Sequence, residues 1–271
     1  MTYSVIILTK NEEVNIENCI NSIPNECDVV VLDSGSTDKT ELISKSSGAK
    51  FYTHIQSGPF LIADQRNWGL KNCQLNNQWV LFLDADEEMN VNLHQKIIFN
   101  IKSNVFNAYK MTPKYLYWGK WLKLTQGYPN WHDRLLKKDE VWIEGGVWEH
   151  FNEEAQFGYI RIPYNHYANS KGFSDWLERH NRYSSWDAET INEYLNHNIG
   201  IGTVRKVVLR KLLAKIWPIR PFLRFFHMYV IRLGFLEGWR SLFFCFNYLF
   251  YEFMIVVKII ELKRLKAGKK L

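Results

Sequence analysis

The chain has 271 residues, of which 46% are apolar and 15% aromatic, and its net charge is +6. This composition excludes an intrinsically disordered protein, because it supplies enough apolar side chains to fill a sizeable core. The four cysteines, at positions 19, 27, 73 and 245, show no metal-type spacing, so we expect them to be reduced in a cytoplasmic protein. The N-terminal residues enter a strand-like run without a signal segment, which indicates no export.

The predicted elements begin with an alternation of strands and helices. Apolar runs at residues 5–8, 28–32, 50–54 and 79–83 read as buried strands, and amphipathic segments that fit helices lie between them. Alternation at this spacing predicts an α/β fold with a Rossmann-like, mostly parallel central sheet and flanking helices.

Polar clusters follow three of these predicted strands, at residues 9–12, 33–40 and 84–86. The carboxyl ends of parallel strands meet at one edge of a sheet, where ligands bind in open α/β folds. Acidic side chains gathered there repel one another, and a nucleotide with a divalent cation would compensate them. For an isolated Asp-x-Asp pair such as Asp84 and Asp86, the alternative is a solvated acidic turn.

These segments together resemble the family-2 glycosyltransferases of GT-A fold. The matching residues are 7–12, 33–40, 63–67 and 84–86, in the family's order and spacing over about the first ninety residues. Residues 164–167, 182–184 and 234–238 resemble, more narrowly, small bacterial enzymes that add a hexose to the lipopolysaccharide core. The resemblance implies metal-assisted, inverting transfer of a hexose from a UDP-sugar to a glycan or glycolipid acceptor.

The resemblance also implies the organisation of the chain. Residues 1–199 would form the GT-A catalytic domain, with a nucleotide-sugar-binding half at 1–110 and an acceptor-binding half at 111–199. The stretch from residue 110 to residue 150 is rich in tyrosine and tryptophan. Because aromatic faces pack on sugar rings, this stretch suits a glycan acceptor.

Roles for single residues follow from the same resemblance. The nucleotide sugar would be bound by Thr9, Asn11, Glu12, Asp33, Arg66, Asp84, Ala85 and Asp86. Asp86 would hold Mn²⁺ or Mg²⁺, which prefers carboxylate oxygen and stabilises a diphosphate leaving group. His166 would complete the metal shell, and Arg66 would supply a fixed positive charge that suits phosphate.

An inverting transfer also needs a carboxylate that takes the proton of the acceptor hydroxyl. Glu149 is the first candidate, since residues 144–150 resemble the family's Gly-x-Val-His-Glu stretch, although Trp148 stands where histidine is usual. Asp133 is the second candidate. Either acid could instead form a structural ion pair.

The C-terminal part carries the positive charge of the protein. Residues 200–271 contain fifteen Lys and Arg and three acids, whereas residues 1–199 have a net charge of −6. Basic residues interleave with aromatic and aliphatic ones at helical spacing, and the longest charge-free run, residues 241–251, is short for a bilayer span of about 20 residues. We predict a basic, amphipathic helical tail that associates with an anionic membrane, peripherally on its inner face, and that does not bind nucleic acid.

Two alternatives to a glycosyltransferase stay open at this point. A nucleotidyltransferase on a similar sheet would need a glycine-rich loop after the first strand, and residues 9–13 contain no glycine. A non-catalytic, membrane-bound scaffold that retains the fold is the other alternative, because the segment around Glu149 departs from the family pattern.

Overall fold

The computed structural model describes residues 2–58, 60–145, 149–196 and 215–271. The chain divides into two compact units. Unit 1 comprises residues 1–116 and 128–170, and unit 2 comprises residues 117–127 and 171–271. Unit 2 therefore includes a short segment from the middle of the chain as well as the C-terminal part.

The helices and strands follow one another in this order along the chain. The first half contains β1 (Ser4–Thr9), α1 (Ile16–Asn21), β2 (Asp28–Asp33), α2 (Thr40–Ser46), β3 (Lys50–Thr53), α3 (Ile62–Asn72), β4 (Trp79–Asp84), β5 (Glu87–Glu88), α4 (Val91–Ser103) and β6 (Ala108–Tyr117). The second half contains β7 (Lys120–Trp121), β8 (His132–Lys137), β9 (Ile143–Glu144), β10 (His150–Phe151), β11 (Phe157–His166), α5 (Gly172–Asn196), α6 (Arg220–Phe226) and α7 (Trp239–Lys266). His166 is the last residue of β11.

The central sheet of unit 1 has the strand order β3-β2-β1-β4-β8-β6-β11-β5. Strands β3, β2, β1 and β4 are parallel, β8 runs antiparallel to both of its neighbours, and β11 is parallel to β6. The expected mostly parallel sheet with flanking helices is therefore confirmed, and so is a C-terminal helical region. The antiparallel β8 is the feature that alternation of strands and helices did not predict.

Strand β4 shows why the sheet is buried on both faces. Its residues from Trp79 to Leu83 are at most 2% exposed. Because successive side chains point to opposite faces of a strand, Leu81 and Leu83 pack in one apolar cluster with Ile16 of α1, while Val80 and Phe82 pack in another on the opposite face.

Unit 2 is built around α7. Ile255 and Ile259 of α7 pack with Ala188 and Ile191 of α5, which explains why the compact units divide at residues 170 and 171. The predicted domain boundary at residues 199 and 200 lies outside the described residues. The part of the predicted basic tail before residue 215 lies outside them as well. Pro221 lies in the first turn of α6, where a proline is tolerated.

Helix α7 is longer than the charge-free run in the sequence suggested. Among the described residues, α7 is the one helix whose length and composition would allow it to cross a membrane. Core helices of soluble proteins meet the same criteria, so length and composition alone do not assign α7 to a membrane.

Glu237 joins the segment 117–127 to the C-terminal part within unit 2. It is 8% exposed, and its carboxylate accepts hydrogen bonds from the backbone N–H groups of Leu124 and Thr125 at 2.9 and 2.8 Å. The Thr125 hydroxyl donates to the same carboxylate. The Lys120 ammonium group donates to the Glu237 carbonyl oxygen at 2.6 Å.

We expect Glu237→Ala to lower the free energy of unfolding by about 3 kcal/mol, because it removes the acceptor of the buried Thr125 N–H group, of the partly buried Leu124 N–H group and of the Thr125 hydroxyl. Urea unfolding measures this loss. Glu261→Ala is the matched control, since Glu261 is an exposed acid of α7, and its expected effect is below about 0.5 kcal/mol. Equal effects of the two substitutions would contradict this role of Glu237.

Candidate active site

The polar clusters predicted to share one edge of the sheet do meet there. Thr9 at the end of β1 lies beside Asp33 at the end of β2, and Leu8 pairs with Asp84 at the end of β4. The predicted residues after these three strands are thereby brought together in unit 1.

Asp33 organises the turn that follows β2. Its carboxylate accepts hydrogen bonds from the backbone N–H groups of Gly35 and Ser36 at 2.8 and 2.7 Å, and from the hydroxyls of Ser36 and Thr9 at 2.5 and 3.0 Å. A carboxylate has about four acceptor positions, and the turn and Thr9 of β1 together use all of them. Gly35 has φ +90°, a left-handed conformation that glycine adopts without strain.

Asn11 and Glu12 bind the β1 loop to the β2 loop. The Asn11 side-chain oxygen accepts a hydrogen bond from the backbone N–H of Thr37 at 2.8 Å, and the Glu12 backbone N–H donates to the Thr40 hydroxyl at 2.8 Å. Asn11 has φ +54°, a region in which asparagine is enriched among non-glycine residues. The two loops are therefore held as one wall.

Two buried arginines neutralise the acids after β4. A single nitrogen of Arg134 (Nη2) contacts Asp84 Oδ2 at 2.9 Å and Glu87 Oε1 at 2.7 Å, and Arg66 lies 3.5 Å from Asp84 Oδ1. Arg66 and Arg134 are 1% and 3% exposed. The acids that seemed to require a ligand are thus partly compensated by the protein's own cations.

These ion pairs set the protonation of the acids. Burial opposes ionisation of Asp84, but the charges of Arg134 and Arg66 outweigh it and hold the pKa of Asp84 below its usual range. Burial, opposed by Arg134 and reinforced by Asp84, raises the pKa of Glu87 to about 7. Asp84 is therefore the permanently charged acid of the two.

Asp86 and His166 lie side by side, with 3.4 Å between Asp86 Oδ2 and His166 Nε2. Burial alone would lower the pKa of His166, but the charges of Asp86, Glu87 and Asp84 raise it to about 9. The three acids around His166 favour positive charge at this position, which fits a divalent cation. No group of three or more His, Cys, Asp or Glu side chains suited to a metal occurs in the described parts of the chain, so protein donors alone would give a two-ligand site.

Glu149 is joined to the same network by Arg66. The distance from Glu149 Oε2 to Arg66 Nη1 is 2.8 Å, so one guanidinium group contacts both Glu149 and Asp84. Burial raises the pKa of Glu149 above its usual range, although the charge of Arg66 opposes it. The three residues before Glu149, including Trp148, lie outside the described residues.

Asp133 has different surroundings. It is 5% exposed, one of its oxygens forms an ion pair with Lys110, and the other accepts a hydrogen bond from the backbone N–H of Phe151 at 2.6 Å. Both carboxylate oxygens are engaged in holding neighbouring strands. Its ion-pair partner is Lys110, on the neighbouring strand β6.

Sequence reasoning missed two members of the network, Arg134 and Glu87. Neither residue had a predicted role at the site. A signal for Arg134 exists in its position directly before Leu135 and Leu136, because a charged side chain in a buried strand requires an opposite charge. The Tyr164 hydroxyl extends the network, accepting from Arg134 Nε at 3.3 Å and lying 3.1 Å from His132 Nδ1.

The aromatic residues expected to bind the acceptor are divided between the two units. Trp131 packs edge-on against Tyr159 in unit 1. In unit 2, Tyr117 packs against Phe244 and Trp118 packs against Trp239. Several of these side chains therefore have packing roles.

Comparison with known proteins identifies the family. The sequence pattern of Glycosyl transferase family 2 matches residues 4–161, which is more than half of the chain, so the chain belongs to glycosyl transferase family 2. A glycosyltransferase of Rickettsia bellii is 39% identical over 107 residues, 39% of this chain and 35% of that protein. Lipopolysaccharide core biosynthesis glycosyltransferase LpsC of Rhizobium meliloti is 31% identical over 94 residues, 34% of each chain. The matched part of this chain spans about a third of the length of these relatives.

Two solved structures are also similar. Residues 1–349 of S. aureus TarS align with 99% of this chain and 92% of that chain, at 15% identity and a TM-score of 0.47. Glucosyl-3-phosphoglycerate synthase of Mycobacterium tuberculosis, in a complex with Mn²⁺, UDP-glucose and phosphoglyceric acid, aligns with 51% of this chain and 57% of that chain, at 21% identity and a TM-score of 0.37.

We expect Asp33→Asn to lower the free energy of unfolding by about 2 kcal/mol, because an amide cannot accept all four hydrogen bonds that Asp33 accepts from its turn and from Thr9. Thermal unfolding measures this loss. Asp64→Asn, at an exposed position of α3, should leave the free energy of unfolding unchanged; an Asp33→Asn protein that behaved like this control would contradict the assignment.

Proposed function

We propose that this protein transfers a hexose from a UDP-sugar to a glycan or glycolipid acceptor by a metal-assisted, inverting mechanism. One observation carries the proposal: Asp84, Asp86 and His166 meet at the edge of the sheet beside Arg66, which also contacts Glu149. A site for a diphosphate and its cation therefore adjoins a candidate base. Membership of glycosyl transferase family 2 supports the same reaction class.

The donor nucleotide would bind along the wall formed by the loops after β1 and β2. Thr9, Asn11 and Glu12 would line the nucleoside pocket, and Asp84 would accept a hydrogen bond from the ribose. Since Asp33 already accepts three hydrogen bonds from its own turn and one from Thr9 of β1, its role would be to hold this wall in place. Ala85 is 3% exposed and packs in the core, so its contribution would be to space the two aspartates.

Asp86 and His166 would hold Mn²⁺ or Mg²⁺, with diphosphate oxygens as further ligands. A bound divalent cation acts as a Lewis acid that stabilises the departing diphosphate. Two protein donors suit such a site, since cations of this kind are often held by one or two side chains together with substrate phosphates. Arg66 would keep positive charge next to Asp84 and balance the negative charge that the donor brings.

Glu149 would take the proton of the acceptor hydroxyl. As that oxygen attacks the anomeric carbon from the face opposite the diphosphate, the bond to the diphosphate breaks, UDP leaves and the proton passes to the carboxylate. The raised pKa of Glu149 brings its proton affinity closer to that needed at neutral pH. We prefer Glu149 to Asp133, because both oxygens of Asp133 are engaged within the fold.

The acceptor is proposed to belong to the lipopolysaccharide or lipooligosaccharide core or a related surface glycan. The similarity to a relative named for lipopolysaccharide core biosynthesis supports this choice. A lipid-linked acceptor would place the enzyme at the inner face of the cell membrane, and the net charge of +12 in residues 200–271 would attract its anionic headgroups.

We expect UDP release from one UDP-hexose in a panel, measured with Mn²⁺, to stop with a chelator and to fall at least about a hundredfold in Asp86→Asn, because the leaving group then lacks its cation. Glu88→Gln is the control, and it should retain most of the activity. Glu88 lies two positions after Asp86, in β5. Release that continues in the presence of the chelator would contradict the role of the metal. No release, together with no metal-dependent UDP binding in calorimetry, would contradict the transferase itself.

We expect kcat/KM to fall on acidification with an apparent pKa above about 4.3, the ordinary value for glutamate. The sign follows from the mechanism, since the base must be ionised and burial raises the pKa of Glu149. Glu149→Gln should lower kcat by about 10²–10⁴-fold while UDP still binds. Glu144→Gln, in the same segment, is the control. A Glu149→Gln enzyme with normal kcat would show that another residue is the base.

A further inference from the structure

Helix α7 exposes an apolar stripe along one of its faces. Its residues follow one another at alternating intervals of four and three, so they lie on one face of the helix. They are Trp239, Phe243, Phe246, Phe250, Phe253 and Val257, between 37% and 55% exposed. At 1.5 Å per residue the stripe is about 27 Å long. An exposed apolar surface of this extent marks an interaction site.

The opposite face of α7 is occupied by the protein itself. Phe244, Cys245 and Ile255 are buried there. Glu252 on that side pairs with Arg220 at 3.1 Å, and the Lys258 ammonium group donates to the Ser184 hydroxyl at 2.8 Å. A helix that is polar and protein-bound on one side can offer lipid only its other side. This arrangement favours a helix that lies in the plane of a membrane surface over one that crosses the bilayer.

The stripe begins at a pair of tryptophans. Trp118, from the segment 117–127, is 52% exposed, and its ring centroid lies 5.5 Å from that of Trp239. Arg240 donates from Nε to the Trp118 carbonyl oxygen at 3.1 Å, and its guanidinium carbon lies 4.8 Å from the Trp239 ring centroid. Exposed tryptophans with an adjacent arginine are suited to the boundary between lipid headgroups and acyl chains.

Charge decides which partner the stripe fits. Residues 215–271 contain eleven Lys and Arg and three acids, and two of these acids, Glu237 and Glu252, are buried. A second copy of the chain would bring the same excess of positive charge to the interface and would be repelled. Anionic lipid headgroups carry the opposite charge, and each basic residue near such a surface contributes about 1 kcal/mol.

We propose that the stripe of α7, together with Trp118, inserts into the headgroup boundary of an anionic bilayer, with α7 parallel to the membrane plane. This stripe would be the surface by which the protein docks on the membrane. The proposal rests on the membrane association that is part of the proposed function, and it does not depend on the transfer reaction.

Flotation of the purified full chain with vesicles tests the proposal. Binding should be stronger to phosphatidylcholine vesicles that contain phosphatidylglycerol than to phosphatidylcholine alone, and salt should weaken it. The double variant Phe246→Ser, Phe253→Ser should lower the partition coefficient at least about tenfold, since each exposed phenylalanine contributes apolar area to insertion. Phe99→Ser is the control, because Phe99 is 65% exposed on α4 of unit 1. Circular dichroism and thermal unfolding check that each variant is folded.

Five outcomes would overturn the proposal. The first is flotation of the double variant equal to that of the unchanged protein, and the second is equal binding of the protein to neutral and anionic vesicles. Resistance to extraction by alkaline carbonate would show a helix that crosses the bilayer. A dimer in light scattering without lipid that the double variant converts to a monomer would assign the stripe to a second copy. If the unchanged protein binds no vesicle but releases UDP from a UDP-sugar, the membrane partner fails while the transfer reaction stands.

Discussion

The candidate site depends on the pairing of two buried arginines with the acids that follow β4. Arg134 holds Asp84 and Glu87, and Arg66 contacts Asp84 and Glu149. Burial of an unpaired charge is costly, so neither the arginines nor the acids could occupy these positions alone. Each side of the network therefore requires the other, and the network fixes where the carboxylates point.

The arginines also connect parts of unit 1 that are distant in sequence. Arg66 comes from α3 and Arg134 from β8, and each contacts the acidic edge that ends β4. Strand β8 reaches that edge because it runs antiparallel to β4. The antiparallel strand β8 thus places the Arg134 guanidinium group beside the end of β4. In an all-parallel sheet, the carboxyl end of another strand would lie at this position.

Sequence reasoning predicted the parts of the site that follow local rules. The apolar run of β4 and the polar clusters after three strands could be predicted, since strand ends and loop composition are properties of neighbouring residues. The pairing of Arg134 with Asp84 could not be predicted, because the strand order brings together residues that are fifty positions apart in the sequence. The same limitation applied to Asp133, whose engagement with Lys110 and Phe151 depends on the pairing of β6 with β8.

The segment 117–127 has a consequence for the order of folding. The segment begins after Leu116, where the chain leaves unit 1. Its Thr125 N–H group donates a hydrogen bond to Glu237, which is synthesised more than a hundred residues later. During synthesis, Thr125 therefore emerges long before its hydrogen-bond acceptor. Contacts over such sequence separations form late, because a long loop must close first. The C-terminal part of this chain is thus required to complete a segment of its middle, and a nascent chain that stops short of α7 would leave Tyr117 and Leu122 without their apolar partners.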